Sequence, residues 1–167
     1  CSTNLTNMSK ISDNITWDEA TVSATAEKLD LDNTPNEEQL KTMKITAKKL
    51  FQPLREWCDH PIRINSFFRS PELCEAIGSK PTSQHTKGQA IDIDSLGEKS
   101  NAELFYYIKD NLDFDQIIWE HGDENNPDWI HMSYVSKKAN RGISLQAYRP
   151  NGKSFTLYKY FDLDKDE

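Results

Sequence analysis

Two short segments alternate cleanly between apolar and polar positions. In Gln89-Ala-Ile-Asp-Ile-Asp94, isoleucine occupies every second place. That spacing predicts a strand with Ala90, Asp92 and Asp94 on one face and Ile91 and Ile93 on the other. Trp129-Ile-His-Met-Ser-Tyr-Val135 repeats the pattern. There Trp129, His131 and Ser133 share a face, opposite Ile130, Met132 and Tyr134. Ile62-Arg-Ile-Asn-Ser-Phe-Phe68 reads as a strand that carries the chain to Arg69, and Phe114-Asp-Gln-Ile-Ile-Trp-Glu120 as a core strand that delivers its last carboxylate to a sheet end. Ile143 to Arg149 and Ser154 to Tyr160 flank Pro150-Asn-Gly-Lys, a hairpin signal. This hairpin is expected to extend the sheet or edge a substrate groove, with Tyr148, Tyr158 and Tyr160 assigned to packing.

Helical periods fill the gaps between these strands. Thr16-Trp-Asp-Glu19 has the form of a capping box opening a helix to about Leu29, and Thr34-Pro-Asn-Glu37 that of a second, with Pro35 at the first helical position. The second box starts a long amphipathic helix with Leu40, Met43, Ala47, Leu50, Leu54 and Trp57 on its apolar face. A short helix from Ser70 is ended by Gly78, and Ser100-Asn-Ala-Glu103 caps another running to about Asn111.

The 167 residues suffice for one substantial core and are too few to require two domains. The expected organisation is a polar tail over residues 1–13, one domain over 14–161 and an acidic tail over 162–167. A net charge of -7, with basic residues dispersed along the chain, argues against a nucleic-acid partner. No apolar run is long enough for a transmembrane helix. Cys1, Cys58 and Cys74 form an odd set without metal-type spacing, so no disulfide framework is expected, and Cys58 and Cys74 read as small core residues.

The chemistry lies in His85, Asp92 and His131. Two imidazoles and one carboxylate leave the fourth position of tetrahedral zinc open to water, which is the composition of a catalytic rather than a structural site. Gly88 lets the chain turn sharply and lets another group approach its backbone, so that His85 can fold back beside Asp92. If the two alternating strands are neighbours, His131 joins them. Singly, each residue is an ordinary loop or strand side chain. As a set they point to hydrolysis.

Arg69-Ser-Pro-Glu-Leu73, Ser83-Gln-His-Thr-Lys-Gly-Gln-Ala-Ile-Asp92, Ile118-Trp-Glu120 and Trp129-Ile-His-Met-Ser-Tyr134 together resemble the zinc D-Ala-D-Ala carboxypeptidase family of peptidoglycan peptidases, in particular its bacteriophage and prophage members. The resemblance runs from about Asn14 to Tyr158. It implies an α+β fold, a small antiparallel sheet flanked by helices, of the kind shared with hedgehog domains. It also implies Zn2+ held by His85, Asp92 and His131, with Arg69 on the substrate carbonyl or carboxylate. Two carboxylates fit the general base: Glu120 at the end of its strand, which is favoured, and Asp128 three positions before the last histidine. Ser83 and Gln84 are candidates to hydrogen-bond the peptide beside the metal.

The implied substrate is a peptidoglycan stem peptide, cut by a monomer in D,D-carboxypeptidase or endopeptidase mode. A phage lytic enzyme would be made in the host cytoplasm and act on the wall beyond it. Cys1 then reads as the residue left after loss of the initiator Met, the other reading being a lipoprotein start. Two other function classes fit the same fold: a zinc-containing binding module without hydrolysis, and a virion structural protein that retains the peptidase fold.

Overall fold

Six strands build one sheet in the computed structural model, which describes residues 10–151 and 153–161. Cys1, the acidic tail from Asp162 and Gly152 of the expected hairpin turn lie outside the described residues. A two-stranded ribbon comes first, β1 (Lys10–Ser12) and β2 (Ile15–Thr16). The sheet strands follow as β3 (Ile62–Ser66), β4 (Ala90–Ser95), β5 (Gln116–Glu120), β6 (Trp129–Ser133), β7 (Ile143–Tyr148) and β8 (Leu157–Tyr160). Ile11, within the stretch expected to be a tail, is buried in the core, so the folded unit begins before residue 13.

The spatial order is β3-β4-β6-β5-β7-β8, and every neighbouring pair is antiparallel except β5 with β7. The fold class is α+β as expected, but the main sheet is mixed. The parallel pair has a topological cause. β6 already occupies one edge of β5, so the chain leaving β6 crosses to the other edge and enters there in the direction of β5. β7 and β8 form the expected hairpin and extend the sheet.

The alternation decides what each face meets. Ile91, Ile93, Ile117, Trp119, Ile130 and Met132 are essentially inaccessible and pack with helix residues such as Met43, Leu50, Leu54, Leu104, Phe105 and Ile108. Each such side chain contributes roughly 1.5–3 kcal/mol by leaving water. The opposite face, with Asp92, His131, Ile118 and Glu120, is left for the site. Cys58 and Cys74 are free and buried. No helix among the described residues is long and apolar enough to cross a membrane.

The helices depart from expectation in register. The Thr16–Glu19 capping box forms, but α1 (Trp17–Thr21) stops at an extended Val22, and Ser23 caps a separate α2 (Ala24–Lys28). The Ser23 hydroxyl accepts from the Ala26 N–H, which gives the backbone a fresh start where the sequence suggested continuity. In the next helix, α3 (Glu37–Thr46), the cap is Asn36 with Gln39 as its partner. The Thr34 N–H instead donates to Asp32, so Pro35 precedes the helix. α3 passes through a wider π turn at Ala47–Phe51 into α4 (Gln52–Cys58). Pro53 has no N–H to return to the preceding turn, and the helix widens just ahead of it. The altered phase buries Phe51 beside Leu50 and leaves Trp57 37% exposed, stacked on Tyr107 at 4.1 Å. α5 (Pro71–Ala76), followed by Gly78 at φ +81, and α6 (Asn101–Asn111) form as expected.

Candidate metal centre

Strand register places the first two members of the cluster. Asp92 of β4 lies directly opposite His131 of β6, and His131 Nδ1 is 2.9 Å from Asp92 Oδ1. His85 arrives from a one-turn 3-10 helix, Gln84–Lys87, closed by Gly88 at φ +75. A β-carbon at Gly88 would lie 2.5 Å from Met43 Cγ and 2.9 Å from the Gln39 carbonyl oxygen. Both reasons for glycine given by the sequence, a left-handed turn and a close approach, therefore hold at this position. Gln39 Nε2 donates to the Thr86 carbonyl, the Arg69 N–H to the His85 carbonyl and Thr46 Oγ1 to the Gly88 carbonyl, which pin the turn between α3 and the sheet.

His85, Asp92 and His131 each offer a ligand atom, and these atoms lie within 4.8 Å of one another. His85 is 2% exposed, and its Nδ1 is 2.8 Å from the Phe67 carbonyl oxygen. A carbonyl can only accept, so Nδ1 carries the proton and Nε2 presents a lone pair. That Nε2 is buried, 3.3 Å from Asp92 Oδ2, and has no hydrogen-bond partner. A buried lone pair aimed at a carboxylate is destabilising by itself and suits a cation between the two. Burial also pushes His85 below the usual imidazole range, against the pull of Asp92, which favours the neutral ring that a metal requires. Burial alone would raise Asp92, but the two histidines outweigh it and hold the carboxyl well below the usual range.

Arg69 stands beside the cluster. Its Nη2 is 3.5 Å from Asp92 Oδ2 and its Nε is buried without a hydrogen-bond partner. Glu120, the last residue of β5, is 8% exposed and lines the same open cleft. Burial raises its carboxyl to about 7, with His131 lowering it and Asp92 raising it. Asp128 is not among the residues that line this cleft, although its neighbour Trp129 is. It is exposed, its N–H donates to the Glu120 carbonyl, and it borders a depression that shares His121 and Trp129 with the cleft. Asp128 precedes β6 and stands in the turn that leads into Trp129.

Ser83 and Gln84 both line the cleft. The Ser83 hydroxyl accepts from the His85 N–H at 3.3 Å, and Gln84 Nε2 donates to Asp115 Oδ2 at 3.0 Å. Arg141, which the sequence did not single out, and Tyr158, which it assigned to packing, join them. Arg141 donates from its backbone N–H and Nε to Asp115 Oδ1, each at 3.0 Å, and from Nη2 to Oδ2 at 2.8 Å. Arg141 lines the cleft, as does Tyr158. Glu120, Ala147 and Tyr158 lie in one row across β5, β7 and β8, with only a methyl group between the acid and the phenol. Tyr158 and Tyr160 are 58% and 55% exposed, which overturns their assignment to packing. An edge strand gives them nothing to pack beneath.

A histidine-aspartate-histidine cluster in an open cleft, with an arginine and a buried carboxylate nearby, is the layout of a metal-dependent hydrolase. Residues 13–133 match the family model described as Peptidase M15, and the chain belongs to that family. The match ends at Ser133, so Arg141 and Tyr158 lie beyond it. No curated protein matches the chain.

Proposed function

We propose that this protein is a zinc-dependent peptidoglycan peptidase that hydrolyses a stem-peptide bond involving a D-amino acid, as a D,D-carboxypeptidase or an endopeptidase. The observation that carries the reading is the buried, unpartnered Nε2 of His85 facing Asp92 and His131 in the cleft of a Peptidase M15 chain. His85, Asp92 and His131 are the ligands in this reading. Zinc held by three protein groups polarises a carbonyl oxygen and brings the pKa of water toward about 7.

The chain's own groups supply the remaining steps. Glu120 takes a proton from the attacking water and returns it to the leaving amine, a task suited to a buried carboxyl whose pKa is raised in the metal-free protein. Its burial keeps bulk water from competing for that proton. Arg69 directs its guanidinium at the oxygen on which negative charge grows, already oriented through Asp92. Ser83 retains a hydroxyl proton for a substrate carbonyl. Gln84, whose amide nitrogen is taken up by Asp115, offers its oxygen to a substrate N–H. Asp128 serves the turn before β6 in this scheme and has no part in proton transfer.

Purified cell wall incubated with the chain before and after chelation tests the reading. Release of amino acids or short peptides that stops on chelation and returns with zinc supports it. Full zinc occupancy with no release rejects it.

A further inference from the structure

We infer that Arg141, fixed by Asp115, is an anion-recognising residue of the cleft, so that the preferred substrate carries a carboxylate within about three residues of the cleaved bond. This inference rests on the peptidase reading above and adds a requirement on the substrate.

Asp115 is 2% exposed as a side chain, whereas Arg141 is 53% exposed and lines the cleft. Both oxygens of the carboxylate are engaged, by Arg141 Nε and Nη2, by the Arg141 backbone N–H and by Gln84. Asp115 thus has no free acceptor to offer. A guanidinium has five N–H donors, and the side-chain bonds to Asp115 occupy two, so the Nη1 edge and one Nη2 proton stay available. A planar fork held on one edge by a buried acid has lost its rotamer freedom before any ligand arrives, which lowers the entropic cost of binding a carboxylate.

The surroundings agree in charge. The whole chain carries -7, yet Arg69, Lys80 and Arg141, dispersed in sequence, border this one cleft. Arg69 is directed to Asp92, and Arg141 is the lining cation fixed at Asp115. Along β5 the opposite side ends in Glu120, with Trp129 and Tyr158 nearby. The row Asp92–His131–Ile118 crosses between the two. Asp115 lies three residues from Ile118, about 10 Å at the rise of a strand, and an extended peptide covers that distance in about three residues. An anionic group at the Arg141 side therefore places a peptide bond near the metal cluster. The carboxylate can be the peptide's free C-terminus or an acidic side chain.

The test is calorimetric binding of a stem pentapeptide with reduced CH2–NH linkages, which cannot be hydrolysed, to the full zinc-loaded chain. Three forms are compared: the free acid, the C-terminal amide and the form with glutamine in place of glutamate. Amidation of the recognised carboxylate is expected to weaken binding about tenfold to a hundredfold, the span of a charge-assisted hydrogen bond. The form that weakens identifies the source. In Arg141→Gln that acid preference should fall below about threefold. Arg141→Lys, which keeps a positive partner for Asp115, should retain only part of it and covers the case in which the glutamine variant does not fold. Equal preference in the variants and the unmodified chain, equal weakening on acid and amide forms, or no preference in the unmodified chain would each overturn the inference. Cleavage of the ordinary peptide, assayed in parallel, separates the two readings. Acid preference without cleavage rejects the peptidase and leaves Arg141 its role, whereas cleavage without acid preference does the reverse.

Discussion

His85 Nδ1 donates to the Phe67 carbonyl oxygen at 2.8 Å, and this one bond fixes which ring nitrogen faces the cluster. Phe67 follows β3 directly, so the strand that delivers Arg69 also sets the tautomer of the first histidine. Zinc should therefore raise the thermal midpoint of the unmodified chain, because binding only to the folded state adds stability by mass action. His85→Ala should lose that shift together with zinc retention in metal analysis. A variant that keeps one zinc with unchanged affinity would remove His85 from the ligand set.

Glu120 and Asp128 give opposite expectations. Glu120→Gln should keep zinc and fold while turnover falls by about two to four orders of magnitude, the usual contribution of a positioned proton-transfer group. Asp128→Asn, at the exposed turn before β6, should stay within about threefold. Steady-state rates on one wall peptide decide between them, and the reverse ranking moves the base to Asp128.

The same carboxyl leaves a mark on stability. Its folded-state pKa is about 7 against an ordinary 4.5, because burial favours the protonated form. The stabilisation from this group is full below about pH 4.5 and is lost as pH rises through about 7. His85, with its pKa lowered by burial, works in the other direction, so the quantity to follow is the difference between unmodified chain and Glu120→Gln. In metal-free urea unfolding, the variant should gain on the unmodified chain by up to roughly 3 kcal/mol between about pH 4 and about pH 8. A flat difference would mean that Glu120 does not ionise in that window.

Gly88 tests the framework rather than the chemistry. Gly88→Ala forces a β-carbon against Met43 and the Gln39 carbonyl at a positive φ, which should lower the unfolding free energy by about 2–4 kcal/mol. Denaturant melts measure it. A loss under about 0.5 kcal/mol would show that the turn relaxes freely.

These expectations differ in how far they were legible beforehand. The isoleucines of β4 and the apolar residues of β6 announce their strands because burial of one face imposes a period of two, and the same period put Asp92 and His131 on the open face. Ser70 and Ser100 announce their helices because a cap is a local interaction. Asn36 was less visible because its box with Gln39 overlaps the Thr34 candidate, and only tertiary packing chooses between them. The pairing of β7 parallel to β5 depends on which edge β6 left free. Asp115 and Arg141 are 26 residues apart with no characteristic spacing, and Tyr158 meets the cleft through register alone.

The decisive observation is the mass of products from defined stem peptides incubated with the zinc-loaded chain, its chelated form and His85→Ala. Hydrolysis at a bond involving a D-amino acid is expected from the loaded chain only, with activity restored to the chelated form by zinc. Intact peptides after exposure to a chain holding one zinc, or equal cleavage by His85→Ala, would contradict a metal-dependent wall peptidase.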